Sequence, residues 1–595
     1  MWGTLVGKFS IPFLALLILF SCRNANKETN ELSEIARSDF KPHFKKLPKI
    51  DYLTLLGGKP SQAELKLGRM LFNDTILSRN NDVSCATCHL ANHGFADGND
   101  LTVGSLGAGG PNGNNVGRRQ FEGALSVNRH FGDDGTHFKA TRRMFRNSLS
   151  TINVAYRVNP KTDSGLLWDG RFGDLLFQIL LPIHTPEELC GYNPLPLKGE
   201  NIFKEGGALF DKPVAIEHSH FVDGYSGANK NLFNFKKVSI KGIPRFRENG
   251  QLTIPNRNEC MALAIAKIRS VPAYRSLFKA AYNSEKVTDH RIASALAAFV
   301  MTHVSKNTKF DQFIKGENVL SVSQLKGMSQ FFTPYGKEYE FGGEKLKGMG
   351  CVSCHTPPTF DSHRFETLGV VSHAGSSLAR PQFVSGGSGF FNKERGQRGT
   401  PPECHIEGKT FLSDSRYAPD IGRAQASFKK EDCFKFRVPT LRNVLSSYPY
   451  FHHGTEKAQS LPANSVQERA NLALKNAIRY HLRGPYLPEI ITKGRYRNNF
   501  FDDLFQRDLL IPYYSLNFGF TADKIRNDFS DKEVDYIHDF VANALYDKDS
   551  TVFGDMGNDV SHPHRVPSGF SPSITRDHGH QFELMPAIEK KRLIK

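Results

Sequence analysis

Cysteine is scarce in this chain: nine in 595 residues, too few for a scaffold held together by disulfides. The number is odd, so at least one cysteine has a use other than pairing within the chain. No stretch is long and apolar enough to read as a transmembrane helix. Acidic residues are in deficit, 60 Asp+Glu against 77 Lys+Arg, for a net charge of +17. That excess suits nucleic acid, an anionic membrane surface or an acidic protein equally, and by itself decides nothing. At 39% hydrophobic and 23% charged residues the composition excludes both a disordered chain and a multispan membrane protein. The length suggests roughly two to four domains with ample cores.

The N-terminus carries a lone Lys8, an apolar run from Ile11 to Phe20, then Ser21-Cys22. The run suits the apolar region of a signal peptide and is too short to span a bilayer. Leu19-Phe20-Ser21-Cys22 resembles a bacterial lipobox, in which the cysteine becomes the lipidated N-terminus; a plain secretory signal is the alternative. The expectation is a lipoprotein signal over 1–22, a polar tether over 23–46, and a periplasmic protein held at the membrane by lipid.

Cys85-Ala-Thr-Cys88-His89 and Cys351-Val-Ser-Cys354-His355 both read C-x-x-C-H. In c-type haem attachment two thiols add to the haem vinyls and the adjacent histidine becomes an axial iron ligand. This composition yields about 0.005 such matches by chance. The competing readings are a zinc site pooled from the two pairs or a thioredoxin-like redox pair. Export to the compartment where haem is attached, with His in both copies, favours haem c at both. Leu67-Gly68-Arg69-Met70-Leu71-Phe72 precedes the first motif and Lys326-Gly327-Met328-Ser329-Gln330-Phe331 the second. Both are helical apolar patterns, which suggests an internal repeat.

The fold class expected is mainly α: two cytochrome c-like haem domains with long loops and few short strands. They would occupy 47–316 and 317–548, followed by an extension over 549–595 with no assigned role. A helix over Thr288 to Val304 would bury Ile292, Leu296, Phe299 and Val300. Another would start at the capping box Ser530-x-x-Glu533 and carry Val534, Ile537, Val541 and Leu545.

Around these two sites the sequence resembles the bacterial dihaem cytochrome c peroxidase family, which includes the MauG-like enzymes. The match spans roughly residues 60 to 548 and rests on segments in a fixed order. Leu77-Ser78, Ser84-Cys85 and Gly94-Phe95-Ala96-Asp97-Gly98 come first, then Arg146-Asn147-Ser148 and Trp168-Asp169-Gly170-Arg171. Phe310-Asp311, Val438-Pro439-Thr440-Leu441-Arg442-Asn443 and Tyr448-Pro449-Tyr450-Phe451-His452-His453-Gly454 follow.

The resemblance implies that the haem at His89 reacts with hydrogen peroxide and that the haem at His355 handles electrons from a donor protein such as a c-type cytochrome. The family's pattern of Trp, then Gln, Pro and Glu at offsets of ten, fourteen and twenty falls on Trp168, Gln178, Pro182 and Glu188. It assigns Glu188 as acid/base with a raised pKa, Gln178 to orient peroxide, and Trp168 as an electron bridge. Read alone, these are a core aromatic, a helix-surface amide and a helix-end carboxylate. The sixth ligand of the second haem falls on His481, with Tyr480 in competition if the register slips by one. A bis-His pair gives a lower potential than His/Met. His130 and His137 follow the glycine-rich stretch Gly104 to Arg119, and neither matches a ligand position cleanly. One Ca2+ would be held by the Asn147 side chain and the carbonyls of Ser447 and Pro449.

Cys190, Cys260, Cys404 and Cys433 remain after lipid and haem. Four cysteines allow three pairings: Cys404 and Cys433 flank a short segment and could close a loop, Cys190 after the pocket carboxylate could pair with Cys260, and neither is decided. The catalytic alternative is a MauG-like oxidase acting on a protein or small molecule; the non-catalytic one is an electron-transfer dihaem cytochrome. Nucleic acid drops out as a partner.

Overall fold

The computed structural model describes residues 27–98, 146–190, 257–370, 421–454, 465–483 and 529–568, with short breaks, and four short strands between 390 and 411. The segments of Gly104 to Arg119, His130 and His137 lie outside the described residues, as do the signal region and Cys22.

The first helix, α1 (residues 27–39), falls where a tether was expected. It is helical because Leu32, Ala36 and Phe40 form an apolar stripe at helical spacing, and all three are buried. Arg37 fastens it, donating to the Glu317 carbonyl at 3.0 Å and to Asn318 Oδ1 at 2.6 Å.

Five further helices surround one core: α2 (Gln62–Asn73), α3 (Leu175–His184), α4 (Arg257–Ser270), α5 (Pro272–Tyr282) and α6 (Asp289–Met301). Side-chain caps start two of them. The Ser61 hydroxyl accepts from Glu64 N at 3.1 Å in α2, and Thr288 accepts from Arg291 N at 3.2 Å in α6, each satisfying an otherwise orphaned donor. Ile292, Leu296, Phe299 and Val300 of α6 are buried as expected.

A second core is built on α7 (Val322–Phe332), α8 (Val466–Arg483) and α9 (Asp531–Asp539), with α1 laid against it. The Ser530–Glu533 capping box is formed at the start of α9. Phe310 and Phe313 already belong to this second core, a few residues ahead of the boundary expected at 316/317. Strands are few and short. The hairpin β1 (Glu338–Phe341) and β2 (Glu344–Lys347) pairs Glu338 with Lys347, and Phe365–Glu366 pairs with Phe436–Arg437.

The chain beyond Asp547 returns to the first core. Val560 is buried in it, Arg69 pairs with Asp559 at 2.7 Å, and His562 Nε2 accepts from Ala91 N at 3.2 Å. Up to Ser568 the extension is therefore a strap across the first domain, ending with the Ser568 hydroxyl on Asp74 at 2.6 Å.

The two cores share one packing device. α2 meets α6 at Gly68, where a Cβ would overlap the Ala295 carbonyl, and α7 meets α9 at Gly327, where it would overlap the Tyr536 carbonyl. Each obstacle is backbone, so relief requires the helices to part. Alanine favours a helix over glycine by about 1 kcal/mol, yet overpacking of this kind costs about 1–3 kcal/mol. Gly327→Ala and Gly68→Ala should each lower stability of the haem-loaded protein, read as an earlier guanidinium midpoint. A midpoint equal to wild type would show that these crossings are not close-packed.

Candidate functional site

Each C-x-x-C-H motif folds into one helical turn ending at its histidine. Cys85–Cys88 is preceded by Ser84, whose N–H donates to Thr87 Oγ1 at 2.9 Å. Cys351–Ser353 follows Gly350, which takes a left-handed φ of 64°. None of the four motif cysteines is in a disulfide.

The histidines are oriented alike. His89 Nδ1 lies 2.9 Å from the Phe95 carbonyl, and His355 Nδ1 lies 3.1 Å from the Phe360 and Pro439 carbonyls. A carbonyl only accepts, so Nδ1 carries the proton and Nε2 keeps its lone pair for a metal. Phe95 and Phe360 both adopt left-handed backbone, φ 58° and 54°, a conformation unfavourable for a bulky residue. It turns their carbonyls back onto the imidazoles. Burial lowers the pKa of both histidines, and with the nearby His481 it takes His355 to about 4. Both imidazoles are thus neutral, the ligating form.

A cavity stands in front of each histidine. The two are of near-equal size, about 210 Å³ at His89 and 220 Å³ at His355, which suits two occupants of one kind. Gln178, Pro182 and Glu188 line the first together with Cys85, Cys88 and His89. The second is lined by Cys351, Cys354, His355 and His481. His481 Nδ1 lies 2.7 Å from the Ala477 carbonyl, so Nδ1 carries the proton and Nε2 keeps its lone pair. Tyr480, the competing ligand, instead donates its hydroxyl to the Leu368 carbonyl at 3.1 Å.

Trp168 lines both cavities. Its indole N–H donates to the Asn147 carbonyl at 2.8 Å. Next to it Asp169 is fully buried and pairs with Arg146 at 2.9 Å and with Arg171. Arg423 donates to the Asp169 and Gly170 carbonyls at 3.1 and 2.9 Å. Gly170 takes φ 67°, and a Cβ there would strike Phe365. Ser148 donates to the Cys88 carbonyl at 2.6 Å. The segments around Arg146 and Trp168 therefore form one buried junction between the cavities.

Sequence reasoning missed Arg437. It lines both cavities, is buried, and its Nε has no hydrogen-bond partner. A buried guanidinium with an open donor calls for an anion, and haem supplies two propionates. Together with apolar walls and neutral imidazoles, this donor set fits haem.

The expected Ca2+ ligands are also adjacent. Asn147 Nδ2 donates to the Pro449 carbonyl at 2.7 Å, while Asn147 Oδ1 is buried without a partner. Turning the amide over would set two hard oxygens side by side, as Ca2+ requires. Ser447 stands two residues before Pro449, with its hydroxyl donated to the Val444 carbonyl at 3.0 Å. Among the described residues no group of three or more His, Cys, Asp or Glu is placed to hold a metal, and no helix is long and apolar enough to cross a membrane.

Residues 62–319 match the family model for di-haem cytochrome c peroxidase. That segment of the chain is similar to the dihaem cytochrome c peroxidase and MauG family. Cytochrome c551 peroxidase of Nitrosomonas europaea is 22% identical over 397 residues, covering 66% of this chain and 70% of that protein. The methylamine utilization protein MauG of Methylorubrum extorquens is 22% identical over 436 residues, 73% of this chain and 76% of its own length. Among solved structures, a MauG-like protein associated with microbial copper homeostasis aligns at 17% identity with a TM-score of 0.45, over 89% of this chain and 99% of that one. The di-haem family that residues 62–319 match implies haem c as the cofactor.

One covalent feature completes the first site. Cys190 and Cys260 form a disulfide, joining the chain just after Glu188 to α4. Cys433 is also disulfide-bonded; the side chain of Cys404 lies outside the described residues.

The buried junction has a pH signature. Burial alone would raise the Asp169 pKa, but Arg171 and Arg146 overcome it and hold the carboxyl at about 2, against an ordinary 3.8. A depressed carboxyl stabilises the fold fully above its unfolded value and loses that contribution as pH falls through the folded one. The contribution is about 2 kcal/mol, present above pH ~4 and lost toward pH ~2. Unfolding free energies of wild type and Asp169→Asn across this interval should diverge by that amount. Parallel curves would show that Asp169 is not held as an anion.

Proposed function

We propose that this chain is a periplasmic dihaem peroxidase that reduces hydrogen peroxide to water, H2O2 + 2H+ + 2e− → 2H2O, with electrons from a donor such as a c-type cytochrome. The observation that carries the reading is that Glu188 and Gln178 line the cavity of Cys85, Cys88 and His89, while Trp168 lines that cavity and the second one. Cys85, Cys88 and His89 would hold one haem, and Cys351, Cys354, His355 and His481 the other, in two cytochrome c-like domains. When bound, the haems supply the redox chemistry that cleaves the O–O bond.

The chain's own residues do the rest. Glu188 takes a proton from one peroxide oxygen and returns it to the other, so that it leaves as water rather than hydroxide. Gln178 carries both donor and acceptor groups and fixes peroxide by hydrogen bonding. Val300 and Leu181 belong to the apolar wall, which limits competing water. Trp168 is held by its N–H bond to the Asn147 carbonyl, giving electrons an aromatic step between the cavities. A Ca2+ on Asn147, Ser447 and Pro449 would brace the same junction. Cys22 would carry the lipid that keeps the enzyme at the membrane.

The imidazole pair His355 and His481 favours one second reading. Bis-His ligation lowers the potential of the second haem and disfavours electron uptake from a high-potential cytochrome. A MauG-like oxidase, which draws electrons from a protein or small-molecule substrate, suits that arrangement. Stopped-flow mixing with peroxide, with and without reduced cytochrome c, separates the two. An EPR spectrum without any high-spin ferric signal, before and after one-electron reduction, would exclude both in favour of a plain electron carrier. Under the peroxidase reading Glu188→Gln should lower turnover by about 10²–10⁴-fold with the haem spectrum unchanged. Unchanged turnover would remove Glu188 from the chemistry.

A further inference from the structure

A third cavity shares no lining residue with the two haem cavities. Measured the same way it is about 570 Å³, more than twice either of them and within the range of small-molecule sites. Four separate stretches meet there: 46–59, Tyr156, 306–315, and the strap at Asp555 and Met556. Lys46, Lys49, Lys59, Lys306 and Lys315 line it, against Asp311 and Asp555 as the acids, so its net charge is 5 − 2 = +3.

Both carboxylates are already neutralised. Asp311 takes two hydrogen bonds of 2.7 Å from Arg442. Asp555 accepts from Lys306 at 2.9 Å and from the Tyr52 hydroxyl at 3.3 Å. Lys46, Lys49, Lys59 and Lys315, by contrast, form no ion pair among the described residues. Tyr156 fronts the same space, and its hydroxyl stays protonated because burial, then the charge of Asp555, raises its pKa. Lysines without ion-pair partners gathered around one concavity raise a positive potential there that scattered surface lysines do not.

We propose that this groove binds a small polyanion, a molecule with two or more closely spaced phosphate or carboxylate charges, with Tyr156 donating a hydrogen bond. Size and concavity favour a small molecule over an acidic protein. The site is independent of the peroxidase reading, so the two can fail separately.

The test is calorimetric titration of the haem-loaded protein with pyrophosphate and with citrate, ionic strength being held constant with NaCl. At least one probe should bind saturably at a single site, and which one does so assigns phosphate or carboxylate. Lys49→Glu with Lys315→Glu takes the groove from +3 to −1 and should weaken binding at least about tenfold. Tyr156→Phe should weaken it about threefold, one hydrogen bond. Lys279→Glu with Lys286→Glu, the same charge change at exposed positions outside the groove, should leave the affinity unaltered. Absence of saturable heat with both probes, or equal weakening by the two lysine pairs, would overturn the proposal.

Discussion

Asp169 has no access to solvent, and the arrangement around both cavities hangs on keeping it charged there. A buried carboxylate is tolerated only if its partners replace water; here they are Arg146 and Arg171. Both arginines also line the first cavity. The same pairing fixes the backbone on either side. Arg423 clamps the Asp169 and Gly170 carbonyls, and the Trp168 carbonyl accepts from Arg437 N at 2.7 Å. Trp168 therefore has neither a free backbone nor a free indole N–H. The ring that lines both cavities is thereby held in one place between them.

The two halves repeat at the level of backbone more than of side chains. Glycine lets a closing helix cross in each, at Gly68 and Gly327, and a left-handed phenylalanine turns its carbonyl onto the histidine in each, at Phe95 and Phe360. The halves differ elsewhere: the first core has five helices around it and the second is built on three. The second half adds the β1–β2 hairpin and α1, and the first is closed by the strap. A repeat carried by carbonyl positions and close approaches tolerates wide sequence divergence, because few side chains are specified by it.

Much of this was legible in the sequence, and the rest was hidden for physical reasons. The C-x-x-C-H spacing and the amphipathic pattern of α6 are local, and local signals survive without the fold. Trp168, Gln178 and Glu188 were found only through a family pattern; nothing in their surroundings along the chain marks them. The Asp311–Arg442 pair spans 131 positions, and its two motifs read as unrelated until folded. Arg437 carried no signal at all, being one Arg among many until burial left its Nε open. Segment 27–39 was misread as a tether because three apolar residues among charges look sparse, although they sit on one face. The strap was unassignable because its contacts are ion pairs, a buried valine and isolated hydrogen bonds to groups far along the chain, which leave no periodicity.

The offset of twenty between Trp168 and Glu188 is explained by how the chain turns between them. α3 carries Gln178 past the cavity, and Pro182 lies in its last turn. Proline has no N–H to continue the ladder, and the chain folds back. Leu189 N donates to the Pro182 carbonyl at 3.0 Å and Glu188 N to the Thr185 carbonyl at 3.0 Å. Cys190 then locks the turn to α4 through its disulfide. Glu188 is thus placed by backbone bonds before it and a covalent bond after it. Under the proposed acid/base role Glu188 would change charge with each proton it takes or gives, and ion pairing alone would hold it in only one state. Positioning through backbone and disulfide is indifferent to that charge, and it keeps Glu188 at the cavity in both.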